Sequence, residues 1–455
     1  MSSSLINRST NINTEQPKRL IEVTLPLASI SEQSAREKSI RHGHISTLHI
    51  WWARRPLAAM RAAIFASLIP DPGTPEERKK LEELIAIIVN WDQVKDGNSP
   101  KIEEAKELIR RAFPDRPPRL LDPFMGGGAT GLEALRLGCE THAVELNPVA
   151  HLIELCTLVY PQKYGRPQPL TVRDTGPQQL RLPGEELPEQ MPLELTLPAA
   201  TEGNPLAADV RKWGQWVLER ARGEIGHLYA NPEGKETIVG YLWARTVRCP
   251  NPACRVEMPL VRQWWLANTG SRKLAMRPLV DVTAKHVGVK VVDTSTLATN
   301  QFDPSEGTTG EGSAVCLVCG QAASGDYLQQ MGMEGRLGQR LLAVVFEQPG
   351  AQKGYRQATA GDVQCFVNAD HRLREWQTQK PGLLPDEPVD PNRPSASARG
   401  LSAVTRYGVR SFGDLFNRRQ LLALATFSQL VGSAHAEMIT AGVQVDRAKA
   451  ICTYL

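Results

Sequence analysis

The stretch RLLDPFMGGGATGLEALRLGCETHAVELNPVAHLIELC, residues 119–156, decides how this chain is read. An apolar run at 119–122 enters a glycine turn, a helical period follows over 129–137, a second strand covers 141–146, and a second helix covers 148–159. Gly138 is a natural helix stop, and Asn147-Pro148 a natural start, cap then first turn. Strand, helix, strand, helix with short connections predicts a βαβ unit, a parallel sheet and an α/β fold.

The turn itself speaks to a ligand. Gly126, Gly128 and Gly131 have the spacing G-x-G-x-x-G, which lets backbone approach a bound group closely while helix N–H groups face it. Glu145, at the end of the second strand, can accept hydrogen bonds from ribose hydroxyls, a geometry that by itself permits NAD. Asp122-Pro123-Phe124 argues against NAD. A carboxylate just ahead of Gly126 would repel a pyrophosphate, whereas it would attract the ammonium of a methionine moiety. The ligand that joins a cationic amino-acid end to an adenosine ribose is S-adenosylmethionine (SAM). Asp122, Glu145 and Asn147 in register favour this over a turn that only packs a helix on a sheet.

Outward from this stretch, 455 residues suggest about three domains at roughly 150 residues each. A hydrophobic content of 41% excludes wholesale disorder. No run approaches the ~18 uninterrupted apolar residues of a membrane span, which excludes an integral membrane protein. The opening MSSSLINRSTNINTEQPKR lacks the apolar block of a signal peptide, so a cytoplasmic location is expected. Net charge is only +4, but from Arg36 to Arg61 six Arg or Lys face one Glu, with His42, His44 and His49 interleaved. Such a patch serves phosphate binding or forms a solvated face.

The chain divides into a disordered tail (1–17), a basic helical region (18–115), the βαβ segment (116–165), linker and helices (166–238), a β-rich domain (239–348), an irregular linker (349–400) and a helical segment (401–455). Helices are expected at 56–69, 74–89, 100–113 and 206–222, and strands within YLWARTV, MPLVRQWWLA, GVKVVD and LLAVVFEQ. Of eight cysteines, Cys139, Cys156, Cys365 and Cys452 stand alone, while Cys249/Cys254 and Cys316/Cys319 form close pairs. Four thiolates make a closed tetrahedral site with no open position, so the expected Zn²⁺ is structural. Trp264 and Trp265, with Arg262 beside them, are either a nucleic-acid contact or the core of a small β-domain.

DPFMGGGATGLEALRLG followed by AVELNP resembles motifs I and II of amino-methylating DNA methyltransferases. RLIEVTLPLASISEQSAREKSIRHGHISTLHIWWARRPLAAMRAAIFASLIP, residues 19–70, is similar to the N-terminal region of the bacterial adenine-specific DNA methylases containing a zinc ribbon, the DUF1156 family. The resemblance extends through the cysteine pairs to about Leu455. It implies a Rossmann-like SAM-dependent methyltransferase core with an inserted β-rich zinc ribbon, methylation of adenine N6 in DNA, and a restriction or phage-defence setting with other subunits. By position, Asp122 would meet the methionine amino group. Phe124, Gly126 and Gly128 would shape the turn around the methionine and sulfonium, Glu145 would hold the ribose hydroxyls, and Pro123, Thr130 and Asn147 are further cofactor-binding candidates. HIWWARRPLAAMRA resembles the motif that precedes a cofactor-lining helix, so Arg54 and Arg55 either face cofactor or DNA or merely flank a buried Trp pair next to a capped helix.

One part is missing. Such enzymes hold the target amine with a [DN]-P-P-[YFW] loop, and no segment of this sequence has that pattern, so no catalytic residue is assigned. The expectation is an N-terminal portion of a longer enzyme, with an incomplete sheet and no methylation on its own. The alternatives are a non-catalytic zinc-ribbon nucleic-acid-binding subunit and an RNA methyltransferase.

Overall fold

The computed structural model describes residues 17–97, 99–166, 203–229, 236–270, 272–296, 302–310, 312–348, 352–380, 382–392 and 400–455. The tail expected over 1–17 lies almost wholly outside these residues, as do 167–202 of the first linker and 393–399 of the second. The chain forms two compact units, Met1–Gly214 with Glu437–Leu455, and Gln215–Ala436. No helix of the described residues is long and apolar enough to cross a membrane.

In the first unit, α1 (Leu27–Glu37) ends in a carboxylate that serves the next helix, α2 (Leu57–Leu68). Pro56 precedes α2 and has no side chain able to cap it, so the cap comes from elsewhere. Glu37 Oε2 and Oε1 accept from the Leu57 and Ala58 backbone N–H groups at 2.8 and 2.9 Å. Burial pushes the Glu37 carboxyl above its ordinary range, against the pull of those two amides. The helix α3 (Pro75–Ile88) starts as its sequence indicates, with Thr74 Oγ1 accepting from the Glu77 N–H. Two further helices, α4 (Trp91–Val94) and α5 (Pro100–Ala112), complete the helical region.

Then β1 (Arg119–Asp122), α6 (Ala129–Arg136) and β2 (Glu140–Ala143) form the expected βαβ unit. β1 and β2 pair in parallel, from Arg119 opposite Glu140 to Asp122 opposite Ala143. Ladder pairing stops at Ala143 rather than 146, because the chain turns there and Glu145 bonds backbone instead of a neighbouring strand. Among the described residues this sheet has only two strands, so the fold is mixed α/β. The helix expected over 148–159 is α7 (Pro148–Glu154), then a π-helical turn (Leu155–Val159), then α8 (Tyr160–Tyr164). Pro161 lacks an N–H and would crowd the carbonyl four residues earlier, and the turn before it widens. The helix Val445–Tyr454 belongs to the same unit, and its Tyr454 hydroxyl donates to Cys156 O in that turn. A long helix, α9 (Pro205–Ile225), closes the linker region.

The helical region and the βαβ segment are not separate domains. Leu20, Phe65, Ile85, Ile88 and Ile109 share one buried core with Ala134 and Leu137 from α6 and its end. Within it, Arg61 of α2 and Glu133 of α6 are both fully buried, with Arg61 Nε 2.5 Å from Glu133 Oε2. Arg61 Nη1 also donates to Ile88 O at the end of α3, and Arg136 Nε lies 3.2 Å from the same Glu133 oxygen.

The second unit is mostly antiparallel sheet. One sheet has the order β12 (Gln352–Gln357), β11 (Gly338–Gln348), β3 (Thr237–Arg248), β4 (Glu257–Leu260). A meander of β5 (Trp265–Thr269), β6 (Arg272–Asp281) and β7 (His286–Asp293) follows β4 in sequence. A small sheet holds β8 (Thr309–Gly310), β9 (Ser313–Val315) and β10 (Ala322–Ala323). The β-rich stretch also contains α10 (Gly325–Met333). The stretch expected as irregular, 349–400, carries β12 and α11 (Ala360–Gln379), which corrects that expectation. α11 opens on a reciprocal cap between Thr359 and Asp362, and Asp362 pairs with Arg356 of β12 at 2.6 Å. Helices Leu401–Val404 and Arg418–Thr440 lie in the segment expected to be helical.

Removing one partner of the Arg61–Glu133 pair strands a buried charge. Arg61→Met should therefore cost about 3–5 kcal/mol in urea unfolding, and adding Glu133→Leu should recover most of it. A single variant as stable as the wild type would show that the pair does not hold the unit together.

Candidate functional site

The glycine turn is built from both sides. Gly126 (φ +60°) and Gly128 (φ +81°) take left-handed backbone that other residues adopt at a cost, and Gly128 leads directly into α6. Gly131 is needed for closeness instead: a Cβ there would lie 2.8 Å from Leu158 Cδ1. Glu145 Oε2 accepts from the Gly126 N–H at 2.7 Å and Oε1 from the Asn147 N–H at 2.8 Å, so one carboxylate ties the turn to the end of β2. The Asn147 amide, then that of Gly126, hold the Glu145 carboxyl below its ordinary range. Asn147 Oδ1 caps α7 by accepting from Val149 and Ala150. Asp122 Oδ1 accepts from the Phe124 N–H at 3.0 Å, which tightens the turn around Pro123 and leaves its other oxygen free of any hydrogen bond among the described residues. The Phe124 ring is 81% exposed at the tip.

At the start of α6, the Gly131 N–H points at Met125 Sδ, 3.2 Å away. Met125 is buried, so its thioether packs against the first turn of α6. Thr130 Oγ1 points at Met60 Sδ of α2, 3.6 Å away.

The segment HIWWARRP lies against this turn. A Cβ on Gly126 would be 3.2 Å from Trp51 Nε1, and one on Gly127 would be 3.0 Å from Arg54 Nε. Trp51 stacks on Trp52 with ring centres 4.3 Å apart. Arg54 is half-buried beside the turn, whereas Arg55 is exposed. Trp51 was not singled out from sequence; its place in the motif was the available signal.

The cysteine pairs meet. Cys249 and Cys254 sit on the β3–β4 hairpin, Cys316 and Cys319 on the β9–β10 hairpin, and all four sulfurs lie within 4.8 Å of one another. Cys249 Sγ is 3.6 Å from Cys319 Sγ, and Cys254 Sγ is 3.9 Å from Cys316 Sγ. Sulfurs at about 2.3 Å from a tetrahedral Zn²⁺ would stand about 3.8 Å apart, so the set could hold one zinc ion. Each pair is followed by a left-handed residue, Arg255 (φ +54°) and Gly320 (φ +72°). Backbone amides point at the sulfurs: that of Asn251 at Cys249, those of Val318 and Cys319 at Cys316, and that of Gln321 at Cys319. Burial nonetheless holds the Cys249 and Cys316 thiols above their ordinary range, and only at the exposed Cys319 do the donors prevail, bringing it down to about 7. Three of the four cysteines are buried in a core with Val247, Met258 and Leu328, so the cluster is also the centre of its hairpins.

The structure corrects the reading of Trp264 as a nucleic-acid contact. Trp264 is 1% exposed and packs with Met276, Leu342 and Ala343, so its ring faces core rather than any base. Trp265 is half-buried with Nε1 donating to Ser305 Oγ at 3.1 Å, and Arg262 is exposed.

A family model described as a protein of unknown function (DUF1156) matches residues 24–88, which run from before α1 to the end of α3. No curated protein and no solved structure matches the chain. The match supports the family resemblance of this segment and names no activity.

Metal analysis of the purified chain should find one zinc per molecule. Cys254→Ser or Cys316→Ser should reduce it to well below one and expose the hairpins to protease. Full zinc content in both variants would remove these cysteines as ligands.

Proposed function

We propose that the chain is the SAM-binding part of a DNA methyltransferase, with adenine N6 as the acceptor and a structural zinc ribbon alongside. The observation that carries this reading is the glycine turn: two left-handed glycines after a strand ending in Asp122, tied by Glu145 to a parallel neighbour. A Rossmann-like sheet built outward from β1 and β2 would place SAM across that turn. Asp122 would receive the methionine ammonium on its free oxygen, and Arg54, against Gly127, would meet the carboxylate. Glu145 keeps a lone pair on each oxygen for the ribose hydroxyls beyond its two backbone bonds. Bound SAM supplies an electrophilic methyl group on a sulfonium. The residues named here bind and orient; the loop that would grip the target base is not among them, since no [DN]-P-P-[YFW] segment occurs in the sequence.

Asp122→Asn isolates the charge, because an Asn oxygen can keep the bond from the Phe124 N–H. Ultraviolet crosslinking of labelled SAM should be measurable in the wild type. The variant should bind SAM and S-adenosylhomocysteine about tenfold or more weakly, as both carry the ammonium. Equal labelling of the variant, or preferential binding of NAD, would favour a non-catalytic nucleic-acid-binding role.

A further inference from the structure

Lys38, Arg41, Arg54 and Arg55 line one cavity of about 550 Å³ in the first unit. The only carboxylate in its lining is Glu37, and both its oxygens are already bonded to the first N–H groups of α2. None of the four cations has an ion-pair partner among the described residues. Cations gathered without counter-charge repel one another unless an anion joins them.

His44 lines the same cavity and is 5% exposed. Its Nδ1 accepts from the Ser46 N–H at 3.2 Å, so in the neutral ring the proton sits on Nε2. Burial, and then the charge of Arg54, hold the ring's pKa below its ordinary value and keep it neutral. The edge contact with the Trp91 ring, 4.9 Å between centres, fixes the imidazole in place. His44 Nε2 is buried without a partner, and so are Arg54 Nε and Nη1. Buried donors with no acceptor cost stability, and both residues that carry them line this cavity, which points to an acceptor supplied from outside.

We propose that this cavity binds a nucleoside phosphate. The phosphate oxygens accept from His44 Nε2, Arg54 and the flanking Lys38 and Arg41, and the aliphatic wall at Ile40 and Ile50 covers sugar or base. A volume of about 550 Å³ suits a nucleotide. SAM is excluded here, since four cations would repel its sulfonium and ammonium. The inference therefore needs neither SAM nor methyl transfer. The phosphate can come from a nucleic-acid strand or a free nucleotide. The exposed Trp52 ring, 80% accessible and stacked on Trp51, offers a face for the next base of a strand.

The test uses the full chain, a fluorescein-labelled single-stranded oligonucleotide and a fluorescent ADP analogue, with Lys38→Gln and Arg41→Gln, neither of which touches the glycine turn. Each variant should weaken binding about tenfold. In the oligonucleotide arm each should also lower the slope of log K against log salt by about 0.7. Sensitivity in the oligonucleotide arm alone assigns the phosphate to a strand, and sensitivity in the ADP arm assigns it to a free nucleotide. Binding of neither probe, or affinities unchanged in both variants, overturns the proposal. Thermal melting checks that the variants fold. SAM crosslinking in the same variants should stay at the wild-type level, so the cofactor reading fails or survives separately.

Discussion

The buried pair between Arg61 and Glu133 is the constraint on which the first unit depends. Taking two charges from water costs several kcal/mol per ion, and the low-dielectric attraction offsets that only where the remaining donors and acceptors are met. Here Arg61 Nη1 also reaches Ile88 O and Arg136 stands beside Glu133, whereas Arg61 Nη2 and Glu133 Oε1 are buried without a hydrogen-bond partner, so the compensation is partial. The pair sets geometry as well as energy. Arg61 lies five residues after Pro56, and Glu133 lies five after Gly128. Clamping α2 to α6 at matched heights therefore holds the two loops that precede them, HIWWARRP and the glycine turn, against each other. Glu37 does the same from the other side by capping α2. The contact of Trp51 and Arg54 with Gly126 and Gly127 follows from these fixtures.

What could be read in the sequence was local. Thr74, Gly138, Asn147 and Pro148 act within a few residues of themselves, and the helix ends fall where they indicate. The Glu37 cap and the Arg61–Glu133 pair join residues 20 and 72 positions apart, and no periodicity encodes them. The segment 349–400 shows the opposite failure. Thr359-x-x-Asp362 is a helix-start pattern, yet α11 buries little beyond Ala369, Leu373 and Trp376, so its apolar stripe is thin. β6 was obscured by Pro278 and its basic residues, which weaken a strand signal although the pairing with β7 runs straight through Pro278.

The cysteines were legible as two pairs, and the structure supplies what spacing lacks. Their hairpins come from different sheets with the β5–β7 meander between them in sequence, yet the sulfurs meet at tetrahedral spacing. Strands of two or three residues, such as β8 to β10, are too short to hold a sheet by their ladders. A metal joining the hairpins would supply the missing cross-link. Left-handed backbone at Arg255, where glycine would be easier, is explained by the same turn geometry. The buried Trp264 shows that aromatic pairs next to basic residues do not by themselves mark a nucleic-acid surface.

The basic run from Arg36 to Arg61 could have been a solvated face, and the fold distributes it differently. Arg61 goes to the core and Arg36 pairs with Asp92 at the surface. The remaining four cations converge on one cavity. Arg54 is the member that faces both ways, lining the cavity while its guanidinium packs on Gly127. An anion in the cavity would neutralise Arg54 from one side, and a carboxylate at the glycine turn would do so from the other. Two anionic groups sharing one guanidinium compete for the same donors, and by linkage each would weaken the other's binding to the same degree. With both sites occupied, the two would therefore be coupled through a single side chain.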